Sequence, residues 1–302
     1  MEQVLLIVNA RAGSVSNRTR EVIAKALAAD FKLEVADTTH RNHAIELGRD
    51  AVDRGFDAVL AFGGDGTVNE AAQALVGSDV ALGVLPGGST NVLARSTGVP
   101  RDPVEATAFV AAHLRSGARR RINVGRLNDR YFLFSAGMGL DAEVVKRVEA
   151  DPEGKRRSAE WTFMRNAVGA GFSKFRGAAP GITVEVPGEP STRALFAICC
   201  NARPFTYFKR WPVDACPGAA LDKGLDLLTL DRVRTSTIPR IAWSVFVTRS
   251  HPRWKKSRYW HDIDGASLTP DAPTPVQVDG DYIGDLAGAA IALVPAALDL
   301  LV

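Results

Sequence analysis

The sequence predicts an α/β domain with a doubly wound parallel sheet, followed by a β-sandwich domain. Three observations carry this. The first third alternates β-rich runs with helical patterns, and glycines gather immediately after the runs. Past Arg119-Arg120-Arg121 the texture changes to strands bounded by turns.

Val4–Val8, Leu33–Ala36 and Ala58–Phe62 read as strands, with helical patterns over Arg20–Ala29 and Ala44–Arg54 between them. That βαβα order implies a parallel sheet with helices on both faces, and ligands then bind beyond the carboxyl ends of the strands. Gly63, Gly64 and Gly66 follow the third strand and open a helix over Val68–Val76. Gly87 and Gly88 follow a fourth strand, Ala81–Leu85, and open a helix near Asn91. In the second texture, strands are expected at Arg121–Leu127, Tyr131–Ala136, Gly181–Val186, Ala194–Cys200, Leu225–Leu230 and Val276–Val278. Amphipathic helices are expected over Trp161–Phe175 and Ile238–Val247. The last apolar segment is expected to return to the first domain, giving boundaries of 1–121 with 287–302 for that domain and 122–286 for the sandwich.

Composition narrows the function. With 302 residues and 46% hydrophobic content the chain can fill real cores, and a formal charge of +3 excludes the general basic field of a nonspecific nucleic-acid binder. The three cysteines include the adjacent Cys199 and Cys200 and lack C-x-x-C spacing. Cys199 and Cys200 read as strand core, and the set fits a reducing cytoplasm rather than zinc ligands or a disulfide framework. Met1–Val8 reads as a first strand, not a secretory signal. Leu286–Val302 is interrupted by Gly288, Pro295 and Asp299 and falls short of the ~20 residues of a spanning helix, so no membrane span is expected.

Gly63-Gly64-Asp65-Gly66-Thr67 has the logic of a phosphate cradle. Glycines let backbone N–H groups approach phosphate oxygens, and a helix N-terminus favours negative charge. A carboxylate there argues for a bridging Mg2+ held by Asp65, with Thr67 and Asn69 as polar contacts. Alone, the segment has a lesser reading as a strand-to-helix turn with Asp65 as N-cap. It is paired, however, with Leu85-Pro86-Gly87-Gly88-Ser89-Thr90-Asn91, followed by Ala94 and Arg95, which repeats the arrangement on what should be a neighbouring strand.

These two segments together resemble the catalytic domain of the diacylglycerol kinase and sphingosine kinase superfamily. Asn9-Ala10-Arg11-Ala12-Gly13 is similar to that family's N-P-x-x-G loop, with alanine for proline, and Gln277-Val278-Asp279-Gly280-Asp281 is similar to its Q-x-D-G-E. The resemblance implies a two-domain lipid kinase fold whose C-terminus returns to the first domain. It puts ATP against Asn9, Ala10, Arg11, Ala12, Gly13, Thr38, Gly64, Asp65, Gly66, Thr67, Val68, Asn69, Glu70, Gly88, Ser89 and Asn91. The catalytic set it implies is Asp65 with Mg2+, and Asp279 or Asp281 as base. Taken bare, Asp-Gly-Asp is more often a hairpin turn than a site; the family's glutamate stands where this chain has Asp281.

Two departures concern a structural Mg2+ that bacterial family members hold in the second domain. Lys223 replaces a carboxylate of the family's D-D-G motif, and Asn123 replaces an aspartate tied to the same network. Either the Lys223 ammonium stands in for that cation, or Asp222 or Asp226 binds it.

A lipid kinase meets its substrate at a membrane. Trp254-Lys255-Lys256-Ser257-Arg258-Tyr259-Trp260 and Phe205-Thr206-Tyr207-Phe208-Lys209-Arg210-Trp211 interleave basic and aromatic residues as peripheral docking segments do, and equally as packed aromatics with solvated charges do. His251 and His261 form no metal or catalytic pattern. The leading expectation is a cytoplasmic, peripherally membrane-associated ATP-dependent kinase acting on diacylglycerol or another lipid alcohol, with no nucleic-acid partner and with monomer and homodimer both open. The alternatives are an NAD kinase-like enzyme and a nucleotide- or lipid-binding module without turnover.

Overall fold

The computed structural model describes residues 2–13, 15–150, 179–232 and 238–302. The chain divides into two compact units, 1–123 with 295–302, and 124–294. The helix expected over Trp161–Phe175 lies outside the described residues.

In the first unit β1 (Gln3–Val8), β2 (Lys32–Asp37), β3 (Ala58–Gly63) and β4 (Ala81–Pro86) form a parallel sheet in the order β2-β1-β3-β4. β1, β3 and β4 are almost wholly buried, as their continuous apolar runs require in a sheet covered on both faces. The connections are helices α1 (Asn17–Ala28), α2 (His43–Asp53) and α3 (Asp65–Leu75), then α4 (Val92–Ser96) after β4. The chain leaves β1 toward β2 on one side and returns to β3 on the other. The carboxyl ends of β1 and β3 are therefore the topological switch point where such sheets bind ligands. A further helix, α5 (Pro103–Ser116), was not expected. Its signals are nonetheless local: Asp102 accepts from the Val104 and Glu105 amides, Pro103 opens it, and Gly117 closes it with a left-handed φ of 69°. The chain's last residues do return here, as Leu300 pairs in parallel with Leu82 and the Leu301 amide bonds the Leu82 carbonyl.

β5 (Arg120–Leu127) runs out of this unit, and the second is an antiparallel sandwich. One sheet runs β14-β13-β10-β7-β16-β17, from β14 (Ser257–Ile263), β13 (Leu225–Leu230), β10 (Phe196–Cys200), β7 (Ser135–Met138), β16 (Thr274–Val278) and β17 (Asp281–Leu286). The other contains β6 (Arg130–Phe132), β8 (Ile182–Glu185), β9 (Thr192–Ala194), β15 (Gly265–Pro270) and the start of β18 (Ala289–Leu300). Phe132, Val184, Leu268 and Ile291 from this sheet meet Met138, Cys199, Leu227 and Val276 from the first in one buried core. Two expected strands are each broken in two. Tyr131–Ala136 bends at Leu133-Phe134 and Ala194–Cys200 at Leu195, because at both places the chain leaves one sheet for the other. The helix expected over Ile238–Val247 is α7 (Ile238–Trp243) continued by a π-helical turn, Ser244–Thr248. An unexpected α6 (Leu140–Glu149) follows β7.

Candidate active site

In the first unit the predicted residues gather at the carboxyl ends of the parallel strands. The side-chain amide of Asn9, one residue past β1, donates to Thr67 Oγ1 at 2.9 Å and so stitches the β1 and β3 ends together across the switch point. Its own amide bonds the Phe62 carbonyl, and the Ala12 amide bonds the Asn9 carbonyl, closing the exposed Ala10–Gly13 loop into a turn. Thr38 lies one residue past β2, with its amide on the Val8 carbonyl at 2.8 Å.

The two glycine turns touch. The Gly87 amide bonds the Gly63 carbonyl at 2.7 Å, and a Cβ on Gly88 would lie 2.7 Å from the Gly64 Cα. Only residues without Cβ atoms allow two backbones to approach so closely. Asn91, at φ 47°, closes the second turn by accepting from the Gly88 amide and donating to its carbonyl. Asp65, the first residue of α3, accepts the Val92 amide at 2.6 Å, so one carboxylate ties the first turn to the start of α4. Asp65 and Gly66 are half-buried and Ser89 is exposed, beside the first amides of α3, which have no intrahelical acceptor.

Three predicted contacts point elsewhere. Val68 and Asn69 are buried on α3, with the Asn69 side chain bonded to Gln73. Glu70 accepts the Asn42 and Ala44 amides, capping α2.

In the second unit Val278 pairs with Asp281, so Asp279-Gly280 is a two-residue hairpin loop with φ of 47° and 82°. This is the hairpin reading of the bare Asp-Gly-Asp, and the two carboxylates differ sharply within it. Asp279 is 3% exposed and accepts three amides: Leu133 at 2.7 Å, and Phe134 and Ser135 at 2.9 Å. It thereby fixes the corner that splits β6 from β7. Asp281 is half-buried at the first position of β17. Gln277, buried on β16, accepts the Gly280 amide and donates to Asp141 Oδ2 at 3.1 Å. Asp141 was not anticipated. Gly137-Met138-Gly139 before a helix was its available signal, since a Cβ on Gly137 would overlap the Asp141 carboxyl. Burial pushes the Asp141 carboxyl up to about 6, and its Oδ1 is buried without a partner.

The residues expected near a structural metal are engaged otherwise. A register shift between Leu225 and Leu227 accompanies the burial of Asp226, whose carboxylate receives the Tyr259 hydroxyl, His261 Nδ1 at 2.7 Å and the Asp262 amide at 3.1 Å. Asp222 and Lys223 are exposed, and Asn123 accepts the Ala296 amide at 2.8 Å. Among the described residues no group of three or more His, Cys, Asp or Glu side chains is placed to hold a metal.

Comparison with known proteins relates this arrangement to a family. The model of the diacylglycerol kinase catalytic domain matches residues 3–127, which contain the whole cradle. The chain is 33% identical over 149 residues to the diacylglycerol kinase of Bacillus subtilis, a match covering 48% of each. A protein of Pseudomonas fluorescens named "Probable lipid kinase YegS-like" is 29% identical over 228 residues, covering 74% of this chain and 71% of that one. The chain spans about half the length of the first curated relatives it matches. The solved structure of a diacylglycerol kinase from Bacillus anthracis superposes with a TM-score of 0.72 at 19% identity, over 99% of this chain and 96% of that one. It shows that the two-domain fold is shared.

Proposed function

We propose that this protein is an ATP-dependent lipid kinase that transfers the γ-phosphoryl group to the hydroxyl of diacylglycerol or a related lipid alcohol. The observation that carries the reading is the pair of glycine turns in backbone contact, tied by Asp65. A surface from which Cβ atoms are excluded suits a polyphosphate. A carboxylate at its edge suits a Mg2+ that arrives with the nucleotide and takes most of its ligands from phosphate and water. When bound, ATP and Mg2+ supply the transferred phosphoryl group and the charge that covers its oxygens. The chain's own work is positioning. Asn9 and Thr67 set the distance between the β1 and β3 loops, the amides of Gly66 and Thr67 would bind the phosphates, and Asp65 would hold the cation.

In the second unit the geometry favours Asp281 as the base that accepts the lipid hydroxyl proton. Asp279 has its carboxylate committed to three amides and instead sets the conformation of the turn. The relatives named as diacylglycerol kinases make diacylglycerol the first substrate to try.

The test is incubation of the purified chain with γ-labelled ATP, Mg2+ and separate acceptors: diacylglycerol, a sphingoid base and NAD. Label in a lipid phosphate is the expected result. Label in NAD alone would move the protein to the NAD kinases, and nucleotide binding without transfer to any acceptor would make it a binding module.

A further inference from the structure

Among the described residues only five large hydrophobic side chains are exposed, and three of them share one substructure. Trp211 is 64% exposed, Trp243 62% and Val247 54%; the other two are single valines on α1 and α5. Trp211 begins β12 (Trp211–Val213), which pairs with β11 (Thr206–Phe208) in a small separate hairpin. Trp243 ends α7, and Val247 lies in the π-helical turn after it.

The hairpin and the helical segment are held together. The rings of Phe208 and Phe246 meet edge to face at 6.2 Å, the Asp214 amide bonds the Val245 carbonyl at 3.1 Å, and Arg249 pairs with the buried Asp214. Below them the buried His251 joins Ser244 Oγ, at 3.0 Å, to the Ala215 carbonyl, at 2.7 Å. The exposed aromatics thus stand on a fixed platform.

Its charge is one-sided. Phe208 pairs with Trp211, so the hairpin tip is the exposed dipeptide Lys209-Arg210, with Lys209 at a left-handed φ of 54°. A basic pair is bracketed by a cross-strand aromatic pair. No Asp or Glu occurs from 190 to 213 or from 232 to 261, although the chain carries 34 of them and a net charge of only +3. Exposed indoles beside cations, in stretches without a carboxylate and with the neighbouring Asp214 buried, match the headgroup region of an anionic bilayer, where Trp settles at the interface and Lys and Arg meet phosphate. The other segment expected to dock does not present its aromatics in this way. Trp260 packs against the sandwich core, Tyr259 packs against a neighbouring cluster, and Trp254 stacks beneath Arg240.

We propose that the β11–β12 tip and the α7 to π-turn segment form the surface by which this protein docks on anionic phospholipid membranes. The proposal adds to the lipid-kinase reading a way to reach the substrate, and it rests on that reading only for its purpose, so binding is measured without ATP. The full chain is sedimented with vesicles of phosphatidylcholine alone and of phosphatidylcholine mixed with phosphatidylglycerol. The expected result is partition onto the anionic vesicles. Lys209→Glu with Arg210→Glu should lower it by roughly 30-fold or more, at about fivefold for each cation lost. Trp211→Ala with Trp243→Ala should lower it by roughly tenfold. All four positions are exposed, so unchanged thermal melting will show that the variants fold.

Turnover of a dispersed short-chain lipid alcohol should be the same in all variants. If the wild type binds anionic vesicles yet phosphorylates no lipid alcohol, the kinase reading fails and the docking surface stands. Equal binding of variants and wild type, or equal binding to both vesicle types, overturns the proposal. Absence of vesicle binding also overturns it and leaves the surface to an acidic protein partner.

Discussion

The polar groups of the candidate site in the first unit are largely main-chain atoms, exposed because glycines let two turns lie against each other. In the second unit they are side chains, each fixed by hydrogen bonds: Asp279 by three backbone amides, Gln277 by Asp141 and the Gly280 amide. The first design suits a ligand that brings its own charge and metal, as the proposed nucleotide would, so the protein needs mainly to stay out of the way. The second must hold a carboxylate at one angle, and it does so by burying its neighbours. This contrast predicts that damage to the first site weakens nucleotide binding at little cost to the fold. Damage to the second should separate into loss of turnover at one aspartate and loss of stability at the other.

The largest effect tests that separation. Asp281→Asn should lower kcat by on the order of 1,000-fold, about 4 kcal/mol of barrier, with the nucleotide Kd unchanged and the melting temperature nearly so. Normal turnover in this variant would show that Asp281 is not the base. Next comes Asp279→Asn. Asparagine tolerates the left-handed backbone, so the variant changes only the bonding. It puts an amide donor where the carboxylate accepted from Leu133, Phe134 or Ser135, and it should cost about 3 kcal/mol in urea unfolding, as removal of one partner of a buried charged network does. Equal stability of the two variants would erase the distinction between positioning and reacting carboxylate.

The same contrast explains which features are legible in the sequence. The glycine turns are legible because their signal is local: strand, glycines and helix start lie within a few residues at Ala58–Thr67 and again at Ala81–Asn91. The fold class follows from the same alternation. The Asp279 clamp is not legible, since its donors lie 144 to 146 residues earlier. For the same reason Tyr131–Ala136 reads as one strand when it is two, because the corner at Leu133-Phe134 is made by a carboxylate far away in the chain. Glu70 shows the opposite case. Its place beside the cradle suggests nucleotide contact, but its side chain spans to the Asn42 and Ala44 amides. Helix α5 escapes the pattern reading despite Asp102, Pro103 and Gly117, which are as local as the glycine turns.

Asp141 gives the second unit a pH dependence of its own. Its carboxyl is raised from 3.8 to about 6, chiefly by burial, so the native state binds a proton more tightly than the unfolded chain does. The group's contribution is therefore fully present below about pH 4 and is lost as pH rises through about 6. At about 1.4 kcal/mol per pH unit the loss is at most roughly 3 kcal/mol, and roughly 2 after local water relaxes the burial. Asp141→Asn removes the titration. Its urea midpoint should change less than that of the wild type between pH 4 and pH 7, so that the two differ most at pH 7. Parallel curves would mean that the wild-type carboxyl titrates as it does in the unfolded chain.

The smallest effect belongs to the first unit and decides whether its cradle is truly made of backbone. Alanine at Gly88 would set a methyl group 2.7 Å from the Gly64 Cα and 3.1 Å from Asn91 Oδ1, so the two turns must separate by a few tenths of an ångström. The strands beneath are held by their own ladder and need not move. Gly88→Ala should therefore weaken nucleotide binding about tenfold, about 1.4 kcal/mol, while the melting temperature shifts by only a few degrees. Gly98→Ala is a useful control, because that glycine has open space for a Cβ and differs only in its left-handed φ of 84°. It should show the backbone penalty in stability with no loss of nucleotide affinity. If Gly88→Ala instead behaves like this control, contact between the glycine turns is a packing feature of the sheet and the phosphates are held elsewhere.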